Sequence, residues 1–216
     1  QDMTFSQSRD FMAGVKLKYD VKNWFTVNLS LHGDFYDRFK RHERIDERKN
    51  VYKSKIFEPR LTLTSSYFTG HNIIFGVEHT TDELTSDRFV NRRMTTRSLH
   101  ETEYFLQDEW TVNSHWMLSS GVRTNFSKAF GFMWMPKIAI KYAPDNHWAL
   151  RANYSMGYRA PSIKELFFNW DHLGMFQIKG SENLQSEKNN YFSLGAEYSK
   201  DRFFINVNAY ANIFNR

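Results

Sequence analysis

The sequence contains no cysteine, which excludes a disulfide scaffold, a thiolate zinc site and a cysteine nucleophile. It has no uninterrupted apolar run of the roughly 18 to 20 residues that a membrane-spanning helix requires, so a helical membrane protein is excluded. There is no phosphate-binding glycine loop, no H-E-x-x-H and no G-x-S-x-G, which leaves the common enzyme signatures unfilled. The opening residues QDMTFSQSRD lack the basic start and apolar core of a signal peptide, and are read as the start of a mature, truncated or excised chain. Prolines number only four. Against these shortages stands an excess of rings: 20 Phe, 11 Tyr and 6 Trp make up 17% of 216 residues, although the mean hydropathy is −0.63. The net charge of +5 keeps nucleic acid, anionic ligands and charged lipid open as partners.

Apolar residues recur chiefly at every second position, the period of a strand whose two faces meet different surroundings. Phe25, Val27, Leu29 and Leu31 alternate with Thr26, Asn28, Ser30 and His32, and Trp148, Leu150, Ala152, Tyr154 and Met156 with Ala149, Arg151, Asn153 and Ser155. The pattern repeats over Phe192–Tyr198 and Phe203–Ile213, and more weakly over Phe11–Tyr19, Arg60–Phe68, Ile73–Thr81, Leu99–Trp110, Trp116–Thr124 and Pro136–Tyr142. Ten strands are therefore predicted, in an all-β antiparallel sheet with no long helix.

Short and long connections alternate. Tight turns are predicted at 20–23, 69–72, 111–115, 143–147 and 199–202, and long loops near 33–55, 82–98, 125–135 and 157–190, so the turns gather at one end of the sheet and the loops at the other. Rings bracket the tight turns: Tyr19 and Trp24, Phe68, Trp110 and Trp116, Tyr142 and Trp148, Tyr198 and Phe203. Amphipathic rings gain most at a membrane–water boundary, and five turns repeating the arrangement predict the girdle of an up-and-down transmembrane β-barrel. Lys16, Lys18, Glu78, Arg123, Arg151 and Glu197 then fall on the wet inner face. A soluble β-sandwich binding module alternates in the same way with its charges outward, and is the competing architecture.

Particular residues add to this pattern. EYFLQDEW from Glu103, SMGYRAPSIKELF over 155–167, GSENLQSEKNNYFSLGAEY over 180–198 and the closing INVNAYANIFNR together resemble the TonB-dependent outer-membrane receptors of Gram-negative bacteria. The match is good from Glu103 to Arg216 and rests on alternation alone before that. Ser181-Glu182-Asn183-Leu184 stands where the family has Asn-Pro-Asn-Leu, so a different loop geometry is expected there. The resemblance implies a 22-stranded barrel in the outer membrane, closed by an N-terminal plug. Such a barrel takes up a scarce iron complex (haem or a ferric siderophore) or cobalamin with energy relayed by the TonB complex. No plug or TonB-contacting segment is recognised in the 216 residues, and ten strands cannot close so wide a barrel. The chain is therefore read as an internal piece of a receptor that cannot transport alone. Outer-membrane lipid, a small-molecule ligand and TonB, through a region outside the sequence, are the implied partners, with a surface lipoprotein left open.

The site is expected among the long loops. Pro161 suits the first turn of a short helix over 162–168, and Arg159 is placed either to pair with Glu165 or Glu187 or to face an anionic ligand. His172 lies between the two family boxes, where haem-uptake members carry a proposed iron-binding histidine; Trp170 and Phe176 are placed to cover a porphyrin face. The alternative for His172 is an ordinary loop histidine beside Asp171. Arg159, Trp170, His172 and Phe176 are thus the ligand-binding candidates, His172 the metal candidate, and no intrinsic cofactor is expected. Between Arg38 and Arg60 nine basic and four acidic side chains give a net +5, read as a solvated surface or as steering for an anionic substrate, helped by Arg88, Arg92, Arg93 and Arg97. Nucleic acid is disfavoured for want of a reading motif. Asp171-His172 supplies the only adjacent pair for an outer-membrane protease, the enzyme reading that is set lowest.

Overall fold

Every polar backbone group inside a bilayer needs a partner, and an extended chain finds its partners only in a neighbouring strand. The computed structural model describes residues 4–42, 47–89, 93–172 and 175–215, and in these the chain satisfies its backbone in one antiparallel sheet. Ten strands follow one another across it: β1 (Thr4–Lys22), β2 (Phe25–His42), β3 (Glu47–Ser65), β4 (His71–Ser86), β5 (Thr95–Thr111), β6 (Trp116–Ser127), β7 (Gly131–Tyr142) and β8 (Trp148–Arg159), then β11 (Glu187–Lys200) and β12 (Phe203–Asn215). Between β8 and β11 the chain forms the short helix α1 (Ile163–Phe167) and a separate hairpin of β9 (Asn169–His172) and β10 (Phe176–Lys179). The ten alternating segments read from the sequence are the ten strands of the main sheet.

All four of the expected long loops are shorter than the sequence suggested: the connection expected over 82–98 is 87–94, since β4 runs to Ser86 and β5 starts at Thr95, and the one expected over 157–190 is 160–186, with α1 and the β9–β10 hairpin inside it. The segment 33–55 is strand on both sides, with Gly33 paired to Phe57 and Lys40 to Lys49. Similarly, β6 and β7 continue to Ser127 and Gly131, leaving three residues between them. The reason is that pairing continues to satisfy the backbone beyond the apolar stretch, whatever the charge of the side chains. The result is 18 or 19 residues in each of β1, β2 and β3, where roughly 9 to 11 cross a bilayer. Pro59 and Pro136, which have no N–H to offer, each lie where one neighbouring ladder is interrupted: β3 and β4 pair at Phe57 and resume at Arg60, and β7 pairs β8 only from Lys137.

The register sorts the two faces. Pairs Lys16–Ser30, Ser30–Arg60, Arg60–Glu78, Glu78–Glu103 and Glu103–Asn125 run across one face. Its charges meet in cross-strand pairs, Arg60 to Glu78 at 2.7 Å, Arg123 to Glu103 at 2.8 Å and Arg151 to Glu197 at 2.9 Å. Pairs Leu17–Leu29, Leu29–Leu61, Leu61–Val77, Ile140–Ala152 and Leu194–Ala209 run across the other. Its large apolar residues are widely exposed, Leu194 by 65% and Val207 by 62%. A sandwich would have covered this face with a second sheet; none is present among the described residues, so the sandwich is set aside. At the tight-turn end the expected rings Trp116 and Tyr142 stack at 4.3 Å and Trp148 and Tyr198 meet at 4.8 Å, while Trp24 meets Tyr67, which the sequence reading did not name, at 4.9 Å.

Candidate functional site

At the end of the sheet opposite the tight turns, the polar face gains a cover. Leu84 of β4 and Leu99 of β5 lie on that face by register, and against them pack Phe89, Ile163, Phe168 and Phe167. Phe89 is fully buried and Ile163 nearly so. This small apolar cluster fastens α1 and the base of the β9–β10 hairpin onto an otherwise hydrophilic wall.

The sequence P-S-I-K-E dictates the helix. Ser162 caps it: the Glu165 amide donates to Ser162 Oγ at 3.3 Å, and the Ser162 amide donates to Glu165 Oε2 at 2.8 Å, a reciprocal capping box. Pro161 comes one residue before the cap, outside the first turn in which the sequence reading placed it, because Ser162 is the better cap. Glu165 also accepts from the Arg159 guanidinium at 2.6 Å, and Glu187 stands 3.5 Å from the same group. Arg159 therefore meets both carboxylates that the sequence offered it. These bonds, from the Ser162 backbone first and Arg159 next, hold the Glu165 carboxyl down at about 2.

A carboxyl with a depressed value stabilises the fold above its ordinary 4.5, and that contribution disappears as pH falls toward about 2. Protection of the Leu166, Phe168 and Ser181 amides from hydrogen exchange, measured against the intrinsic rate at each pH, should therefore be high at neutral pH and fall through that acid window. Glu165→Gln should lower that protection at neutral pH and flatten its acid dependence, and Ser162→Ala should cost the helix about 1 kcal/mol. Exchange unaffected by either variant would show that the cap does not hold the loop.

The hairpin is tied at its base. The Asn169 amide donates to the Arg88 carbonyl at 2.8 Å, the Gly180 amide to Phe168 at 2.5 Å and the Ser181 amide to Glu165 at 3.0 Å. Gly180 sits where a Cβ would come within 2.6 Å of the Glu165 carbonyl oxygen and 2.8 Å of the Leu166 backbone, an approach that only glycine allows. The Ser181–Leu184 segment that departs from the family box still turns, with the Leu184 amide donating to Ser181 at 3.3 Å.

Four cations converge on this cover, each over a ring: Arg88 over Trp170 at 4.2 Å, Arg97 over Phe167 at 4.8 Å, Lys164 over Tyr52 at 5.3 Å and Arg38 over Tyr36 at 5.9 Å. None of the four is ion-paired among the described residues. Arg38, Arg88, Lys164, Tyr36, Tyr52 and Phe168 line a cavity of about 320 Å³ between cover and sheet, with Asp10 and Asp34 in its wall. Of the sequence candidates, Trp170 and Phe176 meet edge to face at 6.3 Å, with Phe176 paired across the hairpin to His172. The His172 side chain, like Arg92 and the charged residues at 43–46, lies outside the described residues. Sequence reasoning named Arg88 and Arg97 only as steering charges and missed Lys164, Tyr36 and Tyr52. Positions so far apart in the chain carry no local signal of convergence.

Comparison with known proteins agrees with this architecture. Residues 1–215 match the family described as TonB dependent receptor-like, beta-barrel. An iron-regulated outer membrane virulence protein of Vibrio cholerae is 26% identical over 180 residues, which is 80% of this chain and 28% of that protein. Two solved structures superpose over 97% of this chain and 35% of their own: a variant of the ferric enterobactin receptor of Pseudomonas aeruginosa (TM-score 0.82, 16% identity) and a siderophore receptor of Acinetobacter baumannii (TM-score 0.76, 12% identity). The chain thus spans about a third of the length of these relatives. Ten strands in meander order, one wet face, one apolar face with an aromatic rim and a family match over almost every residue lead to one conclusion: this chain belongs to the TonB-dependent receptor family of outer-membrane proteins, and forms part of the barrel wall.

Proposed function

We propose that the receptor containing this chain imports a ferric siderophore, with energy relayed by TonB through parts of the protein outside this sequence. The cover over β3–β5 is then part of the external binding chamber. The observation that carries the proposal is the group of four ring-stacked cations that have no carboxylate ion pair among the described residues. Such a group suits an iron chelate that is anionic and rich in planar oxygen-bearing rings. The relatives' own ligands point the same way, since one of the similar receptors carries enterobactin.

Arg88→Ala combined with Lys164→Ala in the full-length receptor should weaken binding of an anionic ferric siderophore about tenfold to a hundredfold. It should also reduce the salt dependence of that binding, while the barrel still assembles. Unchanged affinity and unchanged salt dependence, measured by titration in detergent, would overturn the proposal.

Haem is the second reading, supported by the Trp170–Phe176 ring pair beside the His172 backbone. His172→Ala should weaken haem binding and shift the Soret band if His172 is an iron ligand. An unaltered spectrum together with intact haem-dependent growth removes that reading. Arg159 is proposed as a positioning residue of the same chamber, since it braces Glu165 and through it the helix that carries Lys164.

A further inference from the structure

The cavity between cover and sheet holds charges of both signs. Arg38, Arg88 and Lys164 line it together with Asp10 and Asp34, yet among the described residues no ion pair joins the cations to the acids. The cations are held by other partners. Arg88 lies over Trp170 and Lys164 over Tyr52, and the Arg38 guanidinium donates to the Tyr36 hydroxyl at 3.2 and 3.3 Å. The acids rise from the sheet beneath. In the register Asp10 stands opposite Tyr36, and Asp34 stands opposite Met12 on one side and Ile56 on the other, so the ladder puts no cation beside Asp34. The two carboxylates are diagonal neighbours on β1 and β2, roughly 7 Å apart at Cβ. Asp34 and Arg38 share one face of β2 four residues apart, about 13 Å between Cα atoms, a span for a molecule and not for a single ion. Asp34 Oδ1 is shut off from solvent and has no hydrogen-bond partner among the described residues. A carboxylate oxygen in that position costs free energy until a donor reaches it.

We propose that the ferric siderophore taken up here is amphoteric: beside its anionic iron centre it carries a free ammonium group, which Asp34 holds together with Asp10. Arg88, Lys164 and Arg38 hold the iron-binding rings at the other side of the cavity. The inference rests on the siderophore reading above and narrows its ligand class. A purely anionic chelate leaves the Asp34 oxygen unpaired and sets two carboxylates against its own charge. A purely cationic ligand leaves the three basic side chains without a partner. A ligand carrying both signs satisfies both walls, and each N–H from its ammonium to a carboxylate is a charge-assisted bond.

The test uses the full-length receptor in detergent at pH 7 and fixed salt, titrated with two synthetic ferric tris-catecholates that differ at one nitrogen. In one the backbone bears a primary amine, protonated at this pH, and in the other that amine is acetylated. Wild type should bind the ammonium form about tenfold to a hundredfold more tightly. Asp34→Asn should remove that preference by weakening the ammonium form, and should bind the acetylated form no less tightly than wild type does. Asp10→Asn should reduce the preference less, because Asp10 is exposed to water. Equal affinity of wild type for the two forms overturns the inference without any variant, and so does a preference that survives in both Asp variants. The two readings fail separately. If Arg88→Ala with Lys164→Ala leaves both chelates bound as tightly as before, the siderophore proposal falls and this inference with it. Equal binding of the two forms by a receptor that does respond to that double change refutes only the ammonium site.

Discussion

Leu194→Arg in the full-length receptor should cost about 2 to 4 kcal/mol of folding free energy in a bilayer, equivalent to roughly 30-fold to 1,000-fold in the folded-to-unfolded ratio. Leu194 is central in the outward row of β11, between Phe192 and Ala196, and faces Ala152 and Ala209 on the adjoining strands. An arginine there puts a guanidinium into hydrocarbon with no carboxylate on that face of the adjoining strands among the described residues. Two companions give the comparison its force. Asn206→Arg projects from the opposite face of β12 beside Glu197 and should change stability by no more than about 0.5 kcal/mol. Phe203→Arg, at the tight-turn rim, should cost only about 0 to 1 kcal/mol from membrane depth, plus the lost contact with Tyr198. Refolding into lipid vesicles, followed by the heat-modifiable shift in electrophoretic mobility, measures all three. A dry protein core would penalise Leu194→Arg too, but it gives no reason for the cost to decline from mid-strand to rim.

The contrast between faces was legible in the sequence because every strand states it locally: Leu150 next to Arg151 and Leu194 next to Ser193 need only the two-residue period to be sorted. The turn-end rings were legible for the same reason, lying within a few residues of the turns they flank. What was not legible is instructive in its physics. The charged run from Arg38 to Lys55 looks like a loop, yet its described residues, 38–42 and 47–55, lie in strands that pair through Lys40–Lys49 and Gly33–Phe57, because ladder bonds are indifferent to side-chain charge where the strands stand in water. The β9–β10 hairpin is only four residues on each side, too short for a period to register. Helix α1 could be foreseen from P-S-I-K-E because a capping box is a local device. Its partners could not be, since Leu84 and Leu99 are single apolar residues in polar surroundings and Phe89 has only Val90 beside it in a charged stretch.

Those scattered residues set the second large effect. Phe89→Ala should leave the barrel assembled but release the cover from it. Phe89 is completely buried, touches Phe168 at a ring distance of 5.4 Å, and is the largest fully buried side chain in the cluster that joins α1 to β4 and β5. Truncating a buried phenylalanine costs about 3 to 5 kcal/mol. The cluster has only four buried members, so little is left to hold the helix once that much is withdrawn. The sheet is spared because its strands are held by their ladders and by lipid, neither of which involves Phe89. Two readouts separate these consequences. Protease cleavage between 160 and 186 should accelerate sharply in intact outer-membrane vesicles while the heat-modifiable mobility shift stays normal. Affinity for the ferric siderophore should fall with it, because Lys164 and Trp170 lose the positions that bring them to Tyr52 and Arg88. Phe89→Leu, which keeps most of the apolar volume, should do much less on both counts. If Phe89→Ala speeds cleavage yet leaves siderophore affinity intact, the covering layer is a structural tie only, and the chamber proposed over β3–β5 is wrong.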